Sequence, residues 1–198
     1  MRIIAGTYRG RTLETVRDLS VRPTTDRAKQ TIFDILSNRI DFDGIEVLDL
    51  FAGSGSLGLE AVSRGAAHVT FVEKSRKTID VLEKNIRSLG CAAQCTVYPA
   101  DVFWYLKNLR RPYGLVFADP PYRLETIGTI PDAVFESGAL PEGRYLVMEY
   151  SRGSAVALDE RKYEILKKPF GQTVVLILKA LKPSAGTIHE HRDLSGNI

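Results

Sequence analysis

Short, nearly continuous apolar runs recur along this chain, and stretches of helical periodicity separate them. Residues 45–51, 68–72, 94–98, 114–118 and 144–149 read as strands, the most apolar of them suited to burial on both faces of a parallel sheet. Ala28, Ile32, Ile35, Leu36 and Arg39 fall at helical spacing and give an amphipathic helix ending before Asp43-Gly44. Residues 59–64 continue as a helix with Gly65 placed to end it, and residues 75–88 form another stopped near Gly90. Asp101 opens a helix through Leu109, and residues 131–137 suggest one more. Segments 163–167 and 173–178 have only Pro169-Phe170-Gly171-Gln172 between them, which predicts an antiparallel pair. Seven strands that alternate with helices until a terminal hairpin predict an α/β three-layer sandwich with a seven-stranded, mostly parallel sheet.

The ends of the chain break this alternation. Residues 2–5 and 11–13 are short strand candidates around a Gly6–Gly10 turn, so residues 1–20 read as a basic β-hairpin appendage. An exposed appendage of that kind should add little to the core. Residues 22–26 are a loop feeding the first helix, with Thr24, Thr25 or Asp26 as its N-cap. Residues 21–180 make up the main domain, and residues 181–198 are polar, aperiodic and expected to be a flexible tail.

At 198 residues and 44% hydrophobic, the chain can bury a full core as one domain with small additions. No apolar run approaches the roughly 20 residues of a membrane span, and no signal peptide opens the chain, so a cytoplasmic protein is expected. Cys91 and Cys95 are the only cysteines, which argues against a disulfide framework and a four-ligand zinc site. The formal charge of +3 is unevenly divided. Residues 1–29 carry Arg2, Arg9, Arg11, Arg17, Arg22, Arg27 and Lys29 against Glu14, Asp18 and Asp26, a net of +4, so the remainder sums to −1. That concentration suits contact with phosphates, with Arg110, Arg111 and Arg123, expected near the loop at 119–122, as further candidates.

Two loops carry the candidate chemistry. The strand at 45–51 runs into Ala52-Gly53-Ser54-Gly55-Ser56-Leu57-Gly58, and the next strand ends in Glu73, 20 residues beyond the first glycine. A strand–glycine loop–helix unit lets backbone approach a ligand, while an acid on the next strand end can hold ribose hydroxyls. The second loop is Asp119-Pro120-Pro121-Tyr122. Its prolines stop the 114–118 strand and stiffen the loop itself. It presents a carboxylate, carbonyl oxygens and an aromatic ring, a set able to grip a planar group bearing an exocyclic amine. Phe103-Trp104-Tyr105 reads as helix packing rather than a platform for RNA, and His189-Glu190-His191 in the tail is not read as a metal site.

The combination of 49–55 (Asp-Leu-Phe-Ala-Gly-Ser-Gly), Glu73 and Asp119-Pro120-Pro121-Tyr122 resembles the class I S-adenosylmethionine-dependent methyltransferases that modify exocyclic amines. The stretches 1–6, 9–11, 22–27 and Phe71-Val72-Glu73-Lys74 are more specifically similar to the RsmD family of bacterial 16S rRNA guanine-N2 methyltransferases. The resemblance runs from Met1 to about Lys179, leaving the tail without a counterpart, and Ala118 stands where a larger apolar residue is expected. It implies methyl transfer from S-adenosylmethionine, without a metal, to a guanine N2 of 16S rRNA (guanine-966 by the resemblance) within the small ribosomal subunit, by a monomer. Asp49, Phe51, Ala52, Gly53, Ser54 and Gly55 would then seat the methionine part of the cofactor, Glu73 with Lys74 the ribose, and Asp101 with Val102 the adenine. Asp119, Pro120, Pro121 and Tyr122 would hold the base, and Arg2, Arg9, Arg11, Arg22 and Arg27 the RNA. Two other readings stay open: an adenine-N6 DNA methyltransferase, since the same loop serves either amine, and a non-catalytic RNA- or nucleotide-binding module.

Overall fold

The computed structural model of the chain describes residues 1–15 and 26–181. Arg22, the proposed caps Thr24 and Thr25, and the 182–198 tail with its His189-Glu190-His191 lie outside the described residues.

The strands are β1 (Glu46–Leu50), β2 (His68–Glu73), β3 (Cys95–Pro99), β4 (Leu115–Ala118), β5 (Tyr145–Ser151), β6 (Tyr163–Phe170) and β7 (Thr173–Ala180). They form one seven-stranded sheet in the order β3-β2-β1-β4-β5-β7-β6. The first five are parallel, and β7 lies antiparallel between β5 and β6. The helices are α1 (Asp26–Ser37), α2 (Ser56–Ser63), α3 (Arg76–Leu89), α4 (Val102–Asn108) and α5 (Ile130–Glu136). Two buried clusters sit on opposite faces of the sheet. One packs β1, β2, β4 and β5 against α1, α2 and α3, and the other packs the alternate strand positions against α4 and α5. The sheet class expected from the alternation is therefore the one observed, a Rossmann-like three-layer fold.

Local chemistry explains most boundaries. Ser75 caps α3 by accepting the Thr78 N–H, and Gly90 ends it in the left-handed conformation. Asp101 caps α4 with its carboxylate on the N–H groups of Phe103 and Trp104. Two expectations need correction. The glycine loop is shorter than 52–58, because α2 begins at Ser56 and takes Gly58 into its first turn. The terminal hairpin also extends through Pro169, which pairs with Val174. Proline is tolerated there because β6 is the outer strand of the sheet formed by the described residues.

The N-terminal segment departs furthest from expectation. It is a hairpin with an isolated bridge, Arg2 to Thr12, flanked by the Ile3 N–H on the Arg11 carbonyl and the Leu13 N–H on the Met1 carbonyl. It is not a loose appendage: Ile3 (1% exposed) and Leu13 (2%) lie in the same core cluster as α1, α2 and α3. Its anchor is the fully buried Glu60 of α2, which accepts the N–H groups of Ile4 (2.7 Å) and Ala5 (3.0 Å). Glu60 also meets Arg64 Nε at 2.9 Å and the buried Lys29 Nζ at 3.6 Å, and Lys29 donates to the Arg2 carbonyl. Burial pulls the Lys29 ammonium below its usual range, an effect that Glu60 opposes. On the opposite face, Tyr105 is buried and Phe103 packs against the core as expected, but Trp104 is 61% exposed. One side chain of that aromatic trio therefore faces solvent.

Candidate functional site

Strand register brings the two candidate loops together. Leu50 of β1 is level with Val72 of β2 on one side and Ala118 of β4 on the other. Phe51, Glu73 and Asp119 thus leave three adjacent strands at the same edge of the sheet. From β1 the chain builds outward to β2 and β3, then returns to β4 on the other side of β1. The crevice outside the carboxyl ends of β1 and β4 is the topological switch point, where open α/β sheets bind ligands.

The turn after β1 is tightly wound. Phe51 has φ 56°, the one non-glycine positive φ among the described residues, a conformation that costs energy and tends to be kept at functional sites. Gly55 caps α2 at φ 83°. Gly58 is required by close approach, because a Cβ there would run into the Phe71 ring and the Asp49 carboxylate. Asp49 Oδ2 accepts the Gly58 N–H at 2.9 Å, so this carboxylate fastens the first turn of α2 to β1. Burial pushes the Asp49 carboxyl well above the usual carboxylate range. The Gly58 N–H opposes that shift, and the nearby Asp119 and Glu73 charges add to it.

Glu73 is held by main chain. Its Oε2 accepts the Gly53 N–H at 3.0 Å, and its Oε1 accepts the N–H groups of Lys74 and Ser75, each at 2.8 Å. The Lys74 ammonium lies 3.5 Å from Asp101, an exposed pair worth under about 1 kcal/mol. Asp101 presents Oδ2 beside its capping Oδ1, while Val102 is buried in the α4 and α5 cluster.

Across the switch point, Asp119 is half-buried, Pro120 buried, Pro121 exposed and Tyr122 half-buried. The Tyr122 hydroxyl is 2.8 Å from Thr173 Oγ1 at the start of β7, and the Leu124 N–H donates to the Pro121 carbonyl. The first contact ties the loop to the hairpin beside β5, and the second closes the loop on itself.

Arg2, Arg9, Arg11 and Arg27 are exposed, and Arg22 lies outside the described residues. Arg2 Nε pairs with Asp26 at 3.0 Å, and Arg11 Nη2 donates to the Ser88 carbonyl at 2.6 Å. Arg111 is not near the Asp119-Pro120-Pro121-Tyr122 loop. Its Nη2 lies 3.0 Å from Glu46, the first residue of β1, at the opposite edge of the sheet, and Arg110 precedes the same strand end. Sequence reading also missed Glu60 and Asn85, polar residues at core positions of otherwise apolar helix faces. That mismatch was the available signal.

An adenosine-bearing cofactor fits this geometry. A Cβ on Gly53 would meet nothing nearer than the Phe51 carbonyl at 3.8 Å, so the turn offers open backbone on that side. The buried Ser56 Oγ at the start of α2 has no protein partner among the described residues.

A doubly wound sheet with a glycine turn after β1, an acid ending β2 and an Asp-Pro-Pro-Tyr loop after β4 defines the Rossmann-like class I methyltransferase fold. The family described as "Conserved hypothetical protein 95" matches residues 1–179. The chain is 37% identical over 185 residues to "Putative rRNA methyltransferase YlbH" of Bacillus subtilis, covering 90% of this chain and 98% of that protein. It is 34% identical over 171 residues to "Ribosomal RNA small subunit methyltransferase D" of Haemophilus influenzae, covering 85% of this chain and 87% of that protein. Among solved structures, "Putative methyltransferase yhhF from Escherichia coli" superimposes with a TM-score of 0.81 at 30% identity, covering 91% of this chain and 98% of that one. The chain belongs to this family, the RsmD-type methyltransferases.

Proposed function

We propose that this protein transfers a methyl group from S-adenosylmethionine to the exocyclic N2 of a guanine in 16S rRNA of the small ribosomal subunit. The observation that carries the reading is the placement of Asp119-Pro120-Pro121-Tyr122 at the end of β4, beside the β1 glycine turn and Glu73. The relatives named for rRNA methylation support the choice of RNA over DNA.

Bound cofactor supplies an electrophilic methyl sulfonium. Glu73, already fixed by three main-chain N–H groups, directs its remaining acceptor capacity at the ribose hydroxyls. The Gly53–Gly55 turn seats the methionine part, with Asp49 fastening the first turn of α2 to β1. Asp101 stands where an adenine amine would donate. On the base side, the Asp119 carboxylate and the Pro120 carbonyl accept the two hydrogens of the guanine amine. Its lone pair is delocalised into the ring, and two such bonds favour a more pyramidal, nucleophilic nitrogen. Tyr122, its hydroxyl held near Thr173, offers its ring to the extruded base, a contact worth about 1–3 kcal/mol. Holding both reactants in line supplies much of the rate. The exposed arginines of the hairpin and α1 contact RNA phosphates.

Labelled methyl transfer to small subunits from a strain lacking the enzyme, with nucleoside analysis of the product, tests this reading. N2-methylguanosine is the expected product. N6-methyladenosine, or the absence of transfer, would overturn it.

A further inference from the structure

Asn85 is a buried polar side chain that the proposed chemistry leaves unused. It lies on the apolar face of α3 with Leu82 and Leu89 and is 2% exposed. Its amide bonds to main chain from two distant segments. Oδ1 accepts the Glu14 N–H at 2.8 Å, while Nδ2 donates to the Glu14 carbonyl at 3.0 Å and the Ser54 carbonyl at 2.9 Å. The partners fix the amide's orientation, since an N–H must face its oxygen and two carbonyls its NH2. Glu14 lies just beyond the second half of the N-terminal hairpin, and Ser54 is the middle of the Gly53–Gly55 turn.

The same stripe of α3 touches both segments at neighbouring positions. A Cβ on Gly55 would collide with Leu82, so the turn rests directly on α3. Arg11 Nη2 reaches the Ser88 carbonyl at 2.6 Å, and the Glu14 carboxylate pairs with Lys84 at 2.7 Å. Leu82 and Asn85, three positions apart, share the buried face of α3, with Lys84 and the Ser88 carbonyl at its exposed margin. Asn85 is the point in that stripe where one side chain holds both segments.

We infer that Asn85 is a positioning residue coupling the N-terminal hairpin to the cofactor turn. It fixes the Ser54 carbonyl, and hence the turn that presents the Gly53 N–H, only while Glu14 occupies its other bonds. A ligand that orders the turn therefore steadies the hairpin, and a partner that orders the hairpin improves the turn, with equal coupling in both directions. That the second partner is RNA rests on the proposed function. That S-adenosylmethionine is the ligand of the turn rests on it too.

The test uses the full chain and S-adenosylhomocysteine alone. Saturating ligand should slow hydrogen exchange at the Glu14 amide by about three- to tenfold, the effect of one strengthened hydrogen bond. The Gly10 amide, bonded to the Ile3 carbonyl elsewhere in the hairpin, should respond less. Asn85→Asp, which keeps an acceptor for Glu14 but cannot donate to Ser54, should weaken S-adenosylhomocysteine binding by a similar factor, with turnover recovering at saturating S-adenosylmethionine. A merely structural Asn85 would leave the wild-type Glu14 amide indifferent to ligand. That result in a protein that binds the ligand overturns this inference alone. Failure of the wild type to bind it overturns the proposed function as well. The exchange measurement needs no variant, so a poorly folding Asn85→Asp does not block the decision.

Discussion

On the β1–β2 side of the switch point, carboxylates are held by main-chain N–H groups. Glu73 takes three, Asp101 takes two and Asp49 takes that of Gly58. On the β4 side, stiffness comes from covalent geometry. Two consecutive prolines shape the loop, and the Tyr122–Thr173 and Leu124–Pro121 bonds pin its far end. A cofactor with many polar groups suits a surface of preset backbone donors and acceptors. A flat base that must enter and leave suits a stiff rim with a ring to stack on. The difference predicts separable defects: changes at β4 should act on transfer, and changes at β1 and β2 on cofactor affinity.

The most severe test of that division is Asp119→Ala, expected to lower transfer by about 100-fold or more, the scale of losing a contact that orients the reacting amine. Asp119→Asn should be milder, because its amide oxygen still accepts one hydrogen bond. Single-turnover assays on small subunits measure both. Comparable in energy is Glu60→Ala, which leaves Lys29 buried without its carboxylate and releases Ile4 and Ala5. Chemical denaturation should show a loss of about 3–5 kcal/mol. Glu73→Ala should weaken S-adenosylhomocysteine binding by about 1–3 kcal/mol, with turnover largely restored at saturating cofactor. Low turnover at saturation would place Glu73 on the transfer side and dissolve the division.

Smaller effects refine it. Arg2, Arg9 and Arg11 changed together to Ala should leave fold and cofactor affinity nearly intact, because their side chains are exposed and each exposed pair is worth under about 1 kcal/mol. Small-subunit affinity should fall, and its salt dependence flatten by roughly 0.7–0.9 per lost phosphate contact. Asp49→Asn probes the buried carboxyl. Its pKa is raised in the folded chain, so the native state binds the extra proton, and Asp49 costs stability increasingly as pH rises above its unfolded value of 3.8. The ligand-free Asn variant should therefore gain on the wild type in thermal melts at neutral pH, the gain closing as pH falls toward 4.

The sheet, its terminal hairpin and both loops were legible because each rests on local chemistry: apolar runs, glycines, prolines and capping acids. The start of α2 was misplaced because Gly58 looks like a loop residue until Phe71 and Asp49 are seen against it. The hairpin was read as peripheral because only Ile3 and Leu13 mark its buried side, while Glu60, the residue that docks it, lies more than fifty positions away. Arg111 was assigned to the wrong edge because charge counting is blind to which end of a strand a residue flanks. Long-range polar contacts such as those of Asn85 leave only a faint trace, a polar residue in an apolar stripe.

Calorimetric titration of S-adenosylhomocysteine into the Asp119→Ala protein tests the separation of base and cofactor sides most directly. The account predicts binding within about threefold of the wild type in a protein that no longer transfers methyl groups. A loss of affinity as large as that of Glu73→Ala would contradict it and place Asp119 on the cofactor.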